Sequence, residues 1–279
     1  MQLPAFLPDI RIASGETPKS LTGAPAKGVL WQANPGEFLI DIPGAARYLV
    51  LGGRSVTIDA SPGVSRDLIA RFLRTAPLAA LFYQRGVYAC HASAVNTPAG
   101  ALMLTGHSGA GKSTLAAALI GRGCSLLADD VVPVALNGEG WPVVLPTSPH
   151  IVLWHHAQSQ LFPGGLPDWI GGNGSANFSK NLCVREWEPP RTVELRAIIR
   201  LSTQPNLRLP GQHSSSMTRF ESATRMVWNS RIANVLLDRG ASLNIASAIA
   251  RSIPVTAMFR SAVRWEAEEL ADRIMENLA

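Results

Sequence analysis

From Gly28 to Asp59 apolar residues gather in short runs parted by turn-formers, and from Val64 onwards they recur at the spacing of a helix. Gly28 to Ala33, Phe38 to Ile42, Arg47 to Leu51 and Ser55 to Asp59 are short β-rich runs. Asn34-Pro35-Gly36, Pro43-Gly44 and Gly52-Gly53 punctuate them, and together they predict an antiparallel meander. Before residue 27, turn-formers at irregular spacing (Pro4, Pro8, Gly15, Pro18, Gly23, Pro25) leave room for one short strand near Ile10 to Ile12. Ser61-Pro62-Gly63 closes this region. The pattern therefore divides the chain into a small β-rich N-terminal region, 1–63, and a larger α/β domain, 64–279.

From Val64 to Gln84, Leu68, Ile69, Phe72, Leu73, Leu78, Leu81 and Phe82 recur at helical spacing, broken once by Pro77. Gly86 stops the second helix. Val87 to Val95 and Gly100 to Thr105 read as strands, Leu115 to Ile120 as a helix that Gly121-Arg122-Gly123 ends, and Ser125 to Ala128 as a short strand. Val131 to Leu136 and Trp141 to Leu145 predict a hairpin around Asn137-Gly138. A helix over about Val152 to Leu161 and a Gly/Pro/Asn-rich loop from Pro163 to Ser179 follow; a loop of that length is either a mobile lid or a plain connection. Val193 to Leu201 reads as a strand and Gln204 to Ser216 as a polar excursion. Phe220 to Ala250 is helical with a break near Gly240, Pro254 to Phe259 is a last strand, and Val263 to Leu278 is an amphipathic helix. There is no internal repeat and no low-complexity tract.

One stretch gives this alternation a chemistry. Gly106-His107-Ser108-Gly109-Ala110-Gly111-Lys112-Ser113-Thr114 fits G-x-x-x-x-G-K-[ST], a loop that cradles nucleotide phosphates, and it lies between a predicted strand and a predicted helix as that motif requires. Its glycines leave backbone N–H groups free to converge on phosphate oxygens, and the following helix presents its positive end to the same anion. Gly106, Ser108, Gly109, Ala110, Gly111, Lys112, Ser113 and Thr114 are the candidate nucleotide-binding residues. Lys112 would reach the β- and γ-phosphates, and Ser113 would ligate Mg²⁺.

Asp129 and Asp130 follow Lys112 by seventeen and eighteen residues, at the end of the short strand. Phosphoryl transfer to a hydroxyl needs a metal ion on the phosphates and a base for the acceptor proton. Two adjacent carboxylates on a strand would point different ways, one to each task. His91 lies on the strand before the one that feeds the loop; if the two strands pair, its imidazole reaches the same place. His150, His155 and His156 lack zinc-ligand spacing, and no Ser, Thr or Cys has a recognisable base beside it.

Composition narrows the setting. The chain has 279 residues, 47% hydrophobic and 16% charged, which fits a compact globular protein. Its formal charge of +5 includes no Lys/Arg block, so a nucleic-acid stripe is disfavoured. Three cysteines without a C-x-x-C pair suit a reducing compartment, and the absence of a long apolar run suits a cytoplasmic protein.

Four runs carry a resemblance. Tyr83-Gln84-Arg85-Gly86, Cys90-His91-Ala92-Ser93-Ala94-Val95, the loop with its preceding Leu104-Thr105, and Leu126-Leu127-Ala128-Asp129-Asp130 resemble the catalytic domain of HPr kinase/phosphorylase and its relatives. The resemblance is close from about Gln84 to Pro133. It implies a P-loop kinase domain of HPr kinase type with a mixed sheet, ATP and Mg²⁺ as cofactors, and a possible ring or smaller homo-oligomer. It also implies that His91, Lys112, Asp129 and Asp130 are catalytic, with Asp129 as the base towards a seryl hydroxyl and Asp130 joining Ser113 at the metal; which carboxylate takes which role stays open. No Glu-Ile-Arg-Gly-Leu-Gly follows the Asp pair, and in this the chain is similar to shorter HPr-kinase-related proteins, some of which phosphorylate a serine of a lasso-peptide precursor. The implied activity is serine phosphorylation of a peptide or protein. A kinase for a small-molecule hydroxyl, or a nucleotide-binding regulatory protein without turnover, are the alternatives the residues leave standing.

Overall fold

A computed structural model describes residues 9–176, 179–188, 191–203, 215–261 and 263–278. Tertiary contacts divide the chain into two units, one formed by Met1–Cys90 with Val227–Ile245 and the other by His91–Met226 with Ala246–Ala279.

The first unit is built on the expected meander. Strands β1 (Arg11–Ser14), β2 (Ala26–Lys27), β3 (Trp31–Asn34), β4 (Glu37–Ile42), β5 (Ala46–Leu51) and β6 (Ser55–Ala60) form a sheet in the order β1-β6-β5-β4-β3-β2. Every pairing is antiparallel except β1 with β6. Helices α1 (Arg66–Leu73) and α2 (Ala76–Gln84) follow, separated where Pro77 enters the first turn of α2, a position where its missing N–H costs nothing. The β-rich region read from the sequence ends at Gly63, whereas the contacts carry the unit on through both helices. The reason lies in specific tethers: the Tyr48 hydroxyl donates to the Ile69 carbonyl at 2.8 Å, and the Gln84 side chain accepts from Gly53 N–H at 2.7 Å and donates to Val50 O at 3.2 Å. A helix whose apolar face and polar ends are both used by a sheet folds with that sheet.

Strand β7 (Tyr88–Thr97) leads out of this unit, and β8 (Gly100–Thr105) returns antiparallel to it. Then come α3 (Lys112–Ile120), β9 (Ser125–Leu136) and β10 (Pro142–Val144), followed by β11 (His150–Trp154), α4 (His155–Leu161), β12 (Ile170–Ala176) and β13 (Ser179–Val184). Beyond these lie β14 (Val193–Ser202) and α5 (Ser216–Arg225), then α6 (Ser230–Leu236), which belongs to the first unit, α7 (Arg239–Ser252), β15 (Val255–Phe259) and α8 (Ala267–Leu278). The second unit's main sheet runs β10-β9-β7-β8-β14-β15 and is mixed: β8, β14 and β15 are parallel, the rest antiparallel where their register is given. β10 pairs with β14 as well as with β9, so hydrogen bonding at that end closes on itself and leaves no free edge there. A smaller antiparallel sheet has the order β11-β13-β12.

Four readings of the sequence need correction. Ser125 to Ala128 is not a short strand that stops at the aspartates: β9 runs through them to Leu136. The predicted helix over 152–161 begins only at His155, because Ile151 and Leu153 alternate into the core as strand residues do. The 163–179 stretch is a loop only to Trp169, after which β12 pairs with β13; Asn177 and Phe178 lie outside the described residues. The break within 220–250 falls between Arg225 and Ser230 and again before Arg239, while Gly240 sits inside the first turn of α7. Most of the polar excursion at 204–216 lies outside the described residues.

The core of the second unit surrounds α3. Leu115, Ala116, Ala117, Ala118, Leu119 and Ile120 are all buried, against Leu102 and Leu104 of β8, Ile199 and Leu201 of β14, Ile151 and Leu153 of β11, and Leu270 and Ile274 of α8. A helix apolar on every side is stable only when enclosed, and this enclosure fixes the helix whose first turn carries Lys112 and Ser113. Among the described residues no helix is long and apolar enough to cross a membrane.

Candidate functional site

The loop from Gly106 to Gly111 joins β8 to α3, as its sequence demands. Gly106 has φ 143°, and a Cβ there would lie 2.6 Å from the Leu201 carbonyl; Gly111 has φ 94° and is the N-cap of α3. No side chain caps that helix, so its first N–H groups point into the loop. Ser108 and Gly109 are exposed at the tip, Ala110 is buried, and Thr114 is half-buried in the first turn.

Lys112 is 7% exposed. Its ammonium donates to the carbonyls of Gly106 at 3.1 Å and His107 at 3.2 Å, and lies 3.0 Å from His91 Nε2. Burial lowers its pKa, and the nearby Asp129 and Asp130 carboxylates work in the opposite direction. Because the ammonium can only donate, Nε2 of His91 accepts; the proton then sits on Nδ1, which faces Asp130 Oδ1 at 3.1 Å. Lys112, His91 and Asp130 thus form one directed chain of hydrogen bonds.

Asp129 is held differently. Its Oδ1 accepts from the Ser113 hydroxyl at 2.8 Å and the Ser93 hydroxyl at 2.5 Å, and its Oδ2 accepts from Val152 N–H at 3.1 Å. Burial pushes its pKa up, against these three hydrogen bonds and with the Asp130 charge adding to the rise.

The two carboxylates were expected to diverge because neighbours on a strand face opposite ways. Instead they converge. Asp129 reaches Ser93 and Asp130 reaches His91, residues two apart on β7 and so on one face of it. The cause is Asp130 itself, which has φ 67° in the middle of β9. Left-handed backbone breaks the alternation, and Asp tolerates it better than most residues. The expected pairing of β7 with β8, which brings His91 to Lys112, is present with Ala92 opposite Thr105.

The geometry also pairs Ser113 with Asp129, whereas the resemblance implied Asp130 as its companion at the metal. The sequence reading missed three further participants. Ser93 carried a signal, its spacing of two from His91 on one strand. Val152 contributes only a backbone N–H, which no side-chain pattern reveals. Arg260, whose guanidinium donates to the carbonyls of Ala110 and Gly109 at 2.6 and 2.8 Å, comes from the far end of the chain. The hard oxygen donors of Ser113 and Asp129 in contact suit Mg²⁺, which is commonly held by one or two protein oxygens together with substrate phosphates. Among the described residues no cluster of three or more His, Cys, Asp or Glu side chains suited to a metal occurs.

Over 151 residues the sequence is 30% identical to the HPr kinase/phosphorylase of Aromatoleum aromaticum, a match that covers 52% of this chain and 40% of that protein. The matched stretch is similar to HPr kinase/phosphorylase. It spans about two fifths of the length of that curated relative, so the relationship bears on the matched stretch. No protein-family model matches. Among solved structures, the HPr(Ser) kinase/phosphatase from Coxiella burnetii is similar at 17% identity with a TM-score of 0.29, covering 43% of this chain and 69% of that one.

Proposed function

We propose that the chain is an ATP- and Mg²⁺-dependent kinase that transfers the γ-phosphate to a serine hydroxyl of a peptide or protein, with a lasso-peptide precursor as the acceptor. One observation carries the reading: behind a glycine-rich loop, the Ser113 hydroxyl meets the Asp129 carboxylate while Lys112, His91 and Asp130 form a separate hydrogen-bonded chain beside it. The relationship to HPr kinase/phosphorylase supports the same class of chemistry.

In this reading the loop amides, the uncapped first turn of α3 and the Lys112 ammonium bind the β- and γ-phosphates. Ser113 and Asp129 hold Mg²⁺, which supplies charge neutralisation on the phosphate oxygens. Asp130 is the base, the reverse of the assignment implied by resemblance. Its side chain keeps 38% exposure, enough for an acceptor to approach, and His91 Nδ1–H fixes its orientation. As the seryl oxygen attacks the γ-phosphorus in line with the leaving ADP oxygen, the seryl proton passes to Asp130. Ser93 and Val152 keep Asp129 from turning towards the acceptor.

The test is to mix the protein with ATP, Mg²⁺ and a lasso-peptide precursor that carries an acceptor serine, and to weigh the peptide. The expected result is the mass gain of one phosphate, lost in Lys112→Ala and slowed about 10²- to 10⁴-fold in Asp130→Asn, the usual range for loss of a general base. Asp130→Asn should keep the thermal shift that ATP with Mg²⁺ produces. A peptide that gains no mass, or gains it equally fast with Asp130→Asn, sinks the proposal.

A further inference from the structure

The guanidinium of Arg260 is attached to the outer side of the glycine-rich loop. Arg260 follows directly on β15, and its own N–H donates to the Ser202 carbonyl at the end of β14 at 2.9 Å, so its backbone is fixed to the sheet. From there Nε donates to Ala110 O at 2.6 Å, Nη2 to Gly109 O at 2.8 Å and Nη1 to Ser261 O at 3.0 Å. The approach is close: a Cβ on Gly111 would lie 2.9 Å from Arg260 Nε.

A trans peptide is planar, with its C=O and N–H pointing in opposite directions. Whatever fixes the Ala110 carbonyl therefore fixes the Gly111 N–H, and whatever fixes the Gly109 carbonyl fixes the Ala110 N–H. An amide that is to meet a phosphate must turn inward, and the carbonyl of the same peptide then turns outward. Outward carbonyls at an exposed loop tip would meet only water, which does not hold a direction. The planar fork of an arginine holds two neighbouring carbonyls at once, and its charge polarises both peptide units so that their N–H groups become better donors.

We propose that Arg260 is a positioning residue for nucleotide binding: from behind the loop it orients the Ala110–Gly111 peptide so that the Gly111 N–H faces the phosphates, and it braces the Gly109 carbonyl of a turn whose Ala110 N–H is held by the His107 carbonyl at 3.1 Å. This rests on reading 106–114 as a phosphate loop. Arg260 acts on the ligand through the loop carbonyls and not by touching the nucleotide base, so its effect extends to any polyphosphate.

The experiment measures dissociation constants for ATP and for inorganic triphosphate by titration calorimetry, with wild type, Arg260→Ala and Arg260→Lys. Arg260→Ala should weaken both ligands by the same factor, on the order of tenfold to a hundredfold for the loss of charge-assisted hydrogen bonds. Arg260→Lys, with a point charge in place of a fork, should fall between. Millimolar methylguanidine should restore part of the affinity of Arg260→Ala and leave the wild type unchanged, a response that a general loss of folding would not give. Weakening of ATP alone, with triphosphate unaffected, would mean that Arg260 contacts the base and overturns the proposal; so would unchanged affinity for both. If the wild type binds neither ligand, the phosphate-loop reading fails first and takes this one with it.

Discussion

Replacing Asp129 with asparagine keeps the shape of a side chain at the centre of the site and removes its charge. The carboxylate accepts three hydrogen bonds, from Ser93, Ser113 and Val152 N–H, yet burial still raises its pKa, with the Asp130 charge adding to the rise. An asparagine can keep all three contacts by turning its oxygen to Val152 N–H and its NH₂ to the two hydroxyls, which rotate to accept. Each contact then falls from roughly 1.5–3 kcal/mol for a charged acceptor to roughly 0.5–1.5 kcal/mol for a neutral one, a loss of about 3 kcal/mol over the three. Against this stands the desolvation of a buried carboxylate, several kcal/mol, and the raised pKa says that desolvation wins.

The ligand-free Asp129→Asn protein should therefore be more stable at pH 7 and melt at a higher temperature, by the excess of the carboxylate's desolvation over its hydrogen bonds and its attraction to the Lys112 ammonium. A carboxyl whose folded pKa lies above its unfolded value costs no stability below the unfolded value, about 3.9, and costs progressively more as pH rises through the folded one. The gap between variant and wild type should hence narrow on acidification and close below about pH 4. Thermal melts across pH 4–8 without nucleotide measure it. A variant less stable than wild type at pH 7, or a gap that does not shrink towards acid, would refute the reasoning. With ATP present, the same variant should lose the part of the thermal shift that depends on Mg²⁺, which separates a metal-holding Asp129 from a merely structural one.

Two further outcomes follow from backbone and burial. Gly106→Ala places a Cβ 2.6 Å from the Leu201 carbonyl at φ 143°, so it should destabilise the protein by about 2 kcal/mol or more and weaken nucleotide binding; denaturant melts and titration measure the two effects. Burial pushes the thiols of Cys90 and Cys124 above the ordinary range, whereas Cys183 is only half-buried, so native-state alkylation read by mass spectrometry should label Cys183 first.

The meander, the helices around Pro77, the strand–loop–helix at 100–120 and the final helix follow from local pattern, because each is fixed by periodicity and by Gly or Pro within a few residues. The candidate phosphate loop is equally legible at 106–114, since G-x-x-x-x-G-K-[ST] is a backbone requirement written in residue types. His91, Asp129 and Asp130 could be named from their distance to that loop. Their partners could not: the Ser113–Asp129 contact and the His91–Asp130 contact go with a positive φ at Asp130 in mid-strand, which regular alternation does not foresee. Nor does any local pattern announce Val152 N–H behind Asp129 or Arg260 behind the loop, which join residues 23 and about 150 positions apart. The sequence alone determined which chemistry the chain can hold, because motif chemistry is local. Which side chain faces which was decided by how β7, β9, β11, β14 and β15 are brought together around α3, and that is a property of the packed core.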